Sequence, residues 1–161
     1  MFFSCCPSPI GIIKILANDV GITALWFVEP ENAEIEVNTS LVIEQCIVEL
    51  EEYFLGKRRF FTVPIDFDQA TQFQKTVFGE LEKIAYAHTI SYETLAVRLG
   101  SKRHIRASAS ANGKNPIAIL VPCHRVVGKS GKLVGYSGGI WRKQFLLSLE
   151  QQNAGQALVL F

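Results

Sequence analysis

The chain has 161 residues, is 48% hydrophobic and has a formal net charge of +1. That length is enough for one or two small domains with real cores, and no apolar run approaches the roughly 18 residues that span a bilayer. The N-terminus has neither a basic segment nor a small-residue cleavage site, as a signal peptide would. These features exclude a membrane protein and predict a cytoplasmic one.

The charge is distributed unevenly along the chain. Residues 1–90 hold 6 Lys and Arg against 13 Asp and Glu, a net charge of −7, whereas residues 91–161 hold 10 against 2, a net charge of +8. This asymmetry predicts two units with different roles, of which only the second has the charge of a phosphate-binding surface. Two units that simply balance and attract each other remain the alternative.

The cysteines and histidines give no sign of a metal site. Cys5, Cys6, Cys46 and Cys123 form no CxxC pair, and the three histidines lack zinc-ligand spacing. Thiols of a cytosolic chain stay reduced. We therefore predict no metal and no cofactor, and we expect Cys46 to be a small core residue on a helix.

The first unit is predicted to be a small α+β domain. Apolar strands at residues 10–16 and 22–28 flank a turn and indicate a β-hairpin. Helical spacing follows from Leu41, and Gly56 supplies the stop. The helix face predicted to be buried consists of Ile43, Ile47, Leu50 and Phe54. An extended segment containing Pro64 completes the unit.

The second unit is predicted to begin with a helix. Thr71 and Gln74 have the spacing of a capping box. The helix that they open is expected to bury Phe73, Val77, Leu81 and Ile84.

Two short helical patterns come next. "SYETLAVRLG" begins at Ser91 and stops at Gly100, and "SKRHIRASASANG" begins at Ser101. A helix, a short glycine-containing turn and a second helix make the helix-turn-helix pattern. The charge of the second helix supports that prediction, because it includes Lys102, Arg103, His104 and Arg106.

A cysteine follows an apolar run in the stretch "NPIAILVPCHRVVG". Residues 117–121 have the pattern of a buried strand that ends at Pro122, just before Cys123. A thiol reacts as a thiolate, which nearby cations or a base promote. Because neighbouring residues of a strand face opposite sides, we expect His124 to act on Cys123 through a bridging water. Glu150 is the single acid beyond Cys123, so we predict that it orients His124.

The end of the chain combines a flexible segment with a helix. The segment "GKSGKLVGYSGGI" is rich in glycine. Glycines let a ligand approach the backbone closely, and an ordinary hairpin loop is the alternative interpretation. The helix after it reaches Glu150 and is predicted to bury Trp141, Phe145 and Leu149.

The stretches "NPIAILVPCHRVVG", "GYSGGI" and "SYETLA" together resemble the O6-alkylguanine-DNA alkyltransferase family of direct-reversal DNA repair proteins. The resemblance implies an α+β fold with two domains. Residues 1–68 would form a small ribonuclease H-like α/β domain. Residues 69–161 would form a mostly helical DNA-binding and alkyl-acceptor domain that contains the helix-turn-helix.

The resemblance also implies a reaction. A damaged guanine in double-stranded DNA is flipped out, and its O6-alkyl group passes irreversibly to the cysteine, so that each molecule acts once; O4-alkylthymine is a second expected substrate. Cys123 would be the alkyl acceptor, His124 the base and Glu150 its orienting partner. Asn115 would hold the reactive segment, and Tyr92 would assist rotation of the nucleotide.

The same resemblance assigns the DNA and pocket residues. The DNA-binding residues would be Arg106, which fills the space of the flipped base, with Ala107, Lys102, Arg103 and Arg125. The substrate pocket would include Tyr136, Ser137, Val126 and Ala118. The chain departs from the family at Ala109, where a glycine is usual, and at Ala118, where a proline is usual. Both departures leave the accepted alkyl size open. We expect a monomer that binds DNA largely independently of sequence.

Three rival functions are weighed against repair. A relative that binds the lesion without repairing it would lack the reactive cysteine, but Cys123 is present. A helix-turn-helix regulator would have no use for that cysteine. A cysteine hydrolase would need an oxyanion site, and the sequence shows no such site.

Overall fold

The computed structural model describes residues 1–34 and 37–155. The chain divides into two compact units, one containing Met1–Asp68 and the other Gln69–Ala154. Within the described residues, no helix is long and apolar enough to cross a membrane.

The first unit is built on a three-stranded antiparallel sheet in the order β1-β2-β3. The strands are β1 (Phe2–Ser8), β2 (Gly11–Ala17) and β3 (Ile22–Val28). The predicted hairpin of β2 and β3 is confirmed. Strand β1 was not predicted, because the residues of its buried face, Ser4 and Cys6, are small or polar and hide the two-residue alternation.

Helix α1 (Leu41–Phe54) contacts all three strands of this sheet. Ser40 accepts a hydrogen bond from the backbone of Ile43 and begins the helix. Gly56, at a φ of +77°, follows its end as predicted. The buried face is rotated from the expected one, and its apolar members are Ile43, Cys46, Leu50 and Tyr53. Ile47 and Phe54 lie at the edge of that face and are only half-buried.

A buried carboxylate, Glu49 of α1, holds the segment that follows the helix. Its oxygens accept hydrogen bonds from the backbone N–H of Thr62 at 2.6 Å and of Val63 at 3.0 Å. Arg58 lies 3.1 Å away and supplies the opposite charge. The chain then passes Gly21 so closely that a Cβ there would lie 2.5 Å from the Pro64 carbonyl oxygen. Glu49 therefore replaces the hydrogen bonds that another strand would have provided.

The second unit is mostly helical. Its helices are α2 (Gln72–Glu82), α3 (Tyr92–Arg98), α4 (Ile105–Gly113) and α5 (Ile140–Ala154). The capping box of Thr71 and Gln74 is present at α2, and Ser91 caps α3, as predicted. Helices α3 and α4 pack against each other and are joined by a short connection that includes a 3₁₀ turn, Lys102–His104.

Two short strands bring distant parts of the second unit together. Strand β4 (Ile90–Ser91) pairs in parallel with β5 (Val126–Val127). Since α3 begins directly after β4, this pairing places the start of α3 beside the segment that follows Cys123. The buried core of the unit comes from the helices and from the segment before Cys123, and it includes Val77, Phe78, Leu81, Leu95, Ile117, Val121 and Leu146.

The predicted buried residues Val77, Leu81 and Ile84 are confirmed, whereas Phe73 of α2 and the predicted face of α5 are wrong. In α2, Phe73 is 38% exposed, and Phe78 takes its place in the core. In α5, Trp141 is 56% exposed, while the buried positions are Lys143, Leu146 and Glu150. The face of α5 cannot be read from hydrophobicity, because two of its three buried side chains are charged.

We predict that Glu49→Ala lowers the free energy of unfolding of the first unit by about 3 kcal/mol, since two backbone N–H groups and Arg58 lose their acceptor. The measurement is urea denaturation followed by the fluorescence of Trp26 in a Trp141→Phe background. Glu44→Ala, at an exposed position of the same helix, is the matched control and should stay near wild type. Equal effects of the two substitutions would contradict the role given to Glu49.

Candidate active site

The segment before Cys123 is a buried turn and not the predicted strand. Its backbone closes on itself, with hydrogen bonds from Leu120 N to Ala118 O at 2.8 Å and from Val121 N to Ile117 O at 3.1 Å. Ile119 has a φ of +70°, a left-handed conformation that β-branched residues rarely adopt. The apolar run predicted a strand because a fully buried strand and a fully buried turn both have a continuous run of apolar residues.

Asn115 holds this turn from inside. Its Nδ2 donates to the Val121 carbonyl at 2.8 Å, and its Oδ1 accepts from the backbone N–H of Ile117 at 3.0 Å. One side chain thus ties the two ends of the turn together, in the place where regular backbone pairing is missing.

Cys123 begins a short 3₁₀ turn, Cys123–Arg125, and is 6% exposed. Burial raises the pKa of its thiol, while a hydrogen bond with Asn115 and the charge of Lys143 partly offset that rise. The thiol is therefore largely protonated in this structure, and its reaction needs a base.

His124 and Glu150 form a fully buried pair, with Nε2 of His124 2.6 Å from Oε2 of Glu150. Burial lowers the pKa of His124, and the neighbouring carboxylate acts against that shift. Nδ1 of His124 is buried and has no hydrogen-bond partner in the described part of the chain. Glu150 thus fixes the ring and leaves Nδ1 as the nitrogen able to take a proton.

Glu150 also binds two further groups. Its Oε1 accepts from Arg125 Nε at 2.8 Å and from the backbone N–H of Ala87 at 3.1 Å. Burial raises the pKa of Glu150, but His124 and Arg125 outweigh that effect and bring the pKa down to about 2. The carboxylate is therefore ionised at neutral pH and holds three parts of the unit together.

The placement of Arg125 at the DNA is wrong. Its guanidinium is buried, donates to Glu150 and to the Ile84 carbonyl at 2.7 Å, and lies 5.7 Å from the centre of the Tyr86 ring. Every one of these contacts is internal, so Arg125 is a structural cation and not a phosphate ligand. Its position directly after His124 could not reveal this, because the partner carboxylate is 25 residues away.

A cavity of about 430 Å³ opens beside Cys123. Its lining consists of Tyr92, Ile105, Ala109, Asn112, Gly113, Cys123, Val134, Gly135, Tyr136 and Ser137. The predicted pocket residues Tyr136 and Ser137 are among these. Val126 and Ala118 do not line the cavity and are buried. Their assignment to the pocket stays a prediction.

Tyr92 reaches the cavity from the first residue of α3. Its hydroxyl donates to the Val134 carbonyl at 3.0 Å, which joins α3 to the glycine-rich segment. Burial raises the pKa of Tyr92, and the hydroxyl stays protonated at neutral pH. Tyr136, across the cavity, also has its pKa raised by burial, and its buried hydroxyl has no partner among the described residues.

Lys143 is a site residue that the sequence reasoning missed. It is fully buried on α5, and its Nζ donates to the carbonyls of Val134 at 3.0 Å and Gly135 at 3.1 Å. Burial lowers its pKa, and the neighbouring Cys123 acts in the opposite direction. Lys143 thus fixes the cavity wall and favours the thiolate. A lysine in the first turn of a helix opposes the helix dipole, and that signal could have identified it.

The predicted DNA-facing residues other than Arg125 are exposed. Lys102, Arg103, Arg106 and Ala107 lie on the 3₁₀ turn and the first turn of α4. Lys102 forms an exposed ion pair with Glu93 at 2.9 Å. Ile105, which lies between these residues, lines the cavity. The basic surface and the reactive cavity therefore share one helix.

The family models for the 6-O-methylguanine DNA methyltransferase DNA-binding domain and ribonuclease-like domain match residues 72–152 and 1–67 of this chain. The chain belongs to the 6-O-methylguanine DNA methyltransferase family. Family membership confirms the resemblance seen in the motifs and the α+β fold class. Among the described residues, no group of three or more His, Cys, Asp or Glu could hold a metal ion.

Individual relatives agree with this assignment. Methylated-DNA–protein-cysteine methyltransferase of Methanosarcina barkeri is 39% identical over 158 residues, which are 95% of this chain and 99% of that protein. The Mycolicibacterium paratuberculosis protein of the same name is 40% identical, over 96% of this chain and 94% of its own. The Mycobacterium tuberculosis OGT structure in complex with DNA superposes with a TM-score of 0.84 at 38% identity, covering 94% of this chain and 93% of that one.

We predict that Glu150→Gln lowers the free energy of unfolding of the second unit by about 3–5 kcal/mol at pH 7, because Arg125 loses its buried counter-charge. The folded-state pKa of about 2 lies below the ordinary 4.5. The contribution of the carboxylate is therefore complete above about pH 4.5 and is lost as the pH falls towards 2.

The measurement is urea denaturation at several pH values, followed by the fluorescence of Trp141 in a Trp26→Phe background. The difference between wild type and Glu150→Gln should shrink below pH 4.5. Glu93→Gln, at an exposed ion pair, is the control and should resemble the wild type throughout. A difference that does not depend on pH would contradict the ionised state of Glu150.

Proposed function

We propose that this protein repairs DNA by direct reversal, moving the alkyl group of O6-alkylguanine onto Cys123 in a single, irreversible turnover. The observation that carries the proposal is the arrangement around the thiol. Cys123 lines a cavity large enough for a nucleobase, and His124, the next residue of the same 3₁₀ turn, forms a buried pair with Glu150 of α5. Relatives in the family carry the name methylated-DNA–protein-cysteine methyltransferase, which describes this reaction.

The chemistry requires one proton transfer and one displacement. Nδ1 of His124 takes the proton of Cys123, through a bridging water, and Lys143 favours the resulting thiolate. The sulfur attacks the alkyl carbon and forms a C–S bond as the C–O6 bond breaks. The electron pair stays on the guanine oxygen, and the nucleobase ends neutral by taking at N1 the proton that His124 removed from Cys123, returned through water. Glu150 stabilises the histidine while it is cationic.

The burial of Cys123 is the reason why the alkylated nucleobase must leave the DNA duplex. A thiol that is 6% exposed cannot reach into a stacked duplex, so the alkylated nucleotide has to enter the cavity. Arg106, exposed on the first turn of α4, is in position to fill the vacated space in the stack. Lys102 and Arg103 lie beside it and supply phosphate contacts, which carry no sequence preference.

The remaining parts of the proposal follow from the substrate. The partner is DNA, and the protein acts as a monomer. It is located where the DNA is, which in a cell without a nucleus is the cytoplasm. Within the cavity, Tyr92 assists rotation of the nucleotide, and Tyr136 and Ser137 contact the base. O4-alkylthymine is included as a second, smaller substrate. A protein that binds the lesion without repairing it is the rival function, and Cys123 counts against it.

We predict that Cys123→Ala abolishes alkyl transfer and leaves binding to duplex DNA near the wild-type level. Intact-protein mass spectrometry after mixing with duplex DNA that contains O6-methylguanine should show a gain of about 14 Da in the wild type and none in the variant. The modified peptide should contain Cys123. Burial raises the pKa of Cys6 to about 11 and of Cys46 to about 12, so these thiols are poor nucleophiles.

Cys46→Ala is the matched control and should gain the same mass as the wild type. If the label maps to Cys5, Cys6 or Cys46, the assignment of the acceptor fails. Repeated turnover without a mass gain would indicate a hydrolase.

We also predict that Arg106→Ala slows transfer from duplex DNA at least tenfold and leaves transfer from the free base O6-methylguanine nearly unchanged, because only the duplex requires flipping. Arg103→Ala is the control: it should weaken duplex binding modestly and reduce its salt dependence. The measurement is the ratio of transfer rates, duplex over free base. Equal slowing of both substrates by Arg106→Ala would remove Arg106 from the flipping step.

A further inference from the structure

Large apolar side chains that no step above uses are exposed beside the reactive cavity. Val134 is 38% exposed, Ile140 42% and Trp141 56%. Val134 lines the cavity, and its carbonyl accepts a hydrogen bond from Lys143, which lies one turn beyond Ile140 on α5. Val134 and the first turn of α5 are therefore held together at the edge of the cavity. We call Val134, Ile140 and Trp141 the apolar rim, and a cluster of exposed apolar side chains indicates a binding surface.

The indole of Trp141 is exposed and yet held in place. The Arg142 guanidinium lies 4.5 Å from the centre of the indole and donates to the Gly138 carbonyl at 2.8 Å. The edge of the ring lies against Gly139, which has a φ of +94° and where a Cβ would be 3.3 Å from Cδ1 of the indole. Burial raises the pKa of Tyr136 and the charge of Arg142 acts against that rise, so the guanidinium lies near the cavity wall. A ring that is already positioned loses little entropy when a ligand covers it.

The position and charge of the rim indicate DNA as its partner. The cavity is lined by Ile105, next to Arg106 of the basic surface, and by Val134 of the apolar rim. A nucleotide that enters the cavity therefore brings its strand past both surfaces. Residues 91–161 have a net charge of +8, and Arg142 adds a cation directly beside Trp141, which favours a polyanion. The deoxyribose supplies the apolar surface of a DNA strand, between phosphates that suit the guanidinium.

We propose that the apolar rim binds the alkylated DNA strand, with the Trp141 indole packed against the deoxyribose of the nucleotide next to the extruded one. This inference rests on the proposed function and adds a second DNA-binding surface to the basic one on α4. The contact is apolar, so salt does not screen it, whereas the phosphate contacts of Lys102 and Arg103 weaken as salt rises. Every nucleotide carries the same sugar, so the contact is independent of sequence.

The first test measures whether DNA covers Trp141. The chain has two tryptophans, so Trp26→Phe leaves Trp141 as the fluorescent reporter, and Cys123→Ala prevents methyl transfer during the measurement. Acrylamide, a neutral quencher, reports the exposure of the indole. When a duplex that contains O6-methylguanine binds, we expect the quenching constant of Trp141 to fall about twofold or more, because the ring loses exposed surface. In the matched protein with Trp141→Phe, Trp26 is the reporter, and its quenching constant should not change.

The second test separates an apolar contact from a phosphate contact by its salt dependence. Trp141→Ala should raise the Kd for the same duplex about 5–15-fold at every salt concentration and leave the salt slope unchanged. Arg103→Ala should instead reduce that slope. Trp141→Phe keeps an aromatic face and should keep most of the affinity. Val48→Ala, at an apolar position of α1 that is 52% exposed, is the matched control and should bind like the wild type. With Cys123 intact, Trp141→Ala should still accept the methyl group of free O6-methylguanine at the wild-type rate, because the cavity is unchanged.

The outcomes distinguish this inference from the function on which it rests. If the wild type transfers a methyl group from the duplex but DNA leaves the quenching of Trp141 unchanged, the role of the rim is overturned and the proposed function stands. A loss of affinity in Trp141→Ala that disappears at high salt also overturns it, because Trp141 would then only support Arg142. Protection of Trp141 that grows with protein concentration in the absence of DNA would assign the rim to a second copy of the chain. If the wild type transfers no methyl group at all, the proposed function itself fails.

Discussion

The second unit depends on one buried carboxylate. Glu150 accepts hydrogen bonds from His124, from Arg125 and from the backbone of Ala87, and so joins α5 to the reactive turn and to the segment after α2. Its charge is balanced internally, because Arg125 is buried beside it. The same carboxylate that fixes the His124 ring therefore also holds the unit together. A chemical role and a structural role cannot be separated at this residue by a single substitution.

Burial governs the reactivity of the site in two opposite directions. It raises the pKa of Cys123 and lowers the pKa of His124, so both groups are neutral before reaction. Lys143, itself deprived of water, provides the nearby charge that favours the thiolate. A thiol kept neutral is protected from oxidation and from unrelated electrophiles. It reacts when an alkylated nucleobase fills the cavity and brings its alkyl carbon close to the sulfur.

Local signals made much of this fold predictable, and long-range contacts account for the errors. The hairpin of β2 and β3 and the capping box of Thr71 follow from residues a few positions apart. Strand β1 was missed because its buried residues, Ser4 and Cys6, are small or polar. The charged face of α5 was missed because the partners of Glu150 lie far along the chain. Arg125 was misplaced for the same reason. Family resemblance supplied Tyr92 and Tyr136 to the site, since no spacing rule links them to Cys123.

The left-handed turn at Ile119 has a consequence for how this protein tolerates change. Cys123 is held by a segment without a strand ladder, and its position depends on how Ile117, Ile119 and Leu120 fill the core around Asn115. Packed interiors transmit changes of volume as displacements. A methyl group gained or lost in this core would therefore move the sulfur relative to the alkyl carbon. Hydrophobic side chains that never contact the substrate therefore influence the rate of transfer, and a substitution that changes the packing of this core also changes that rate.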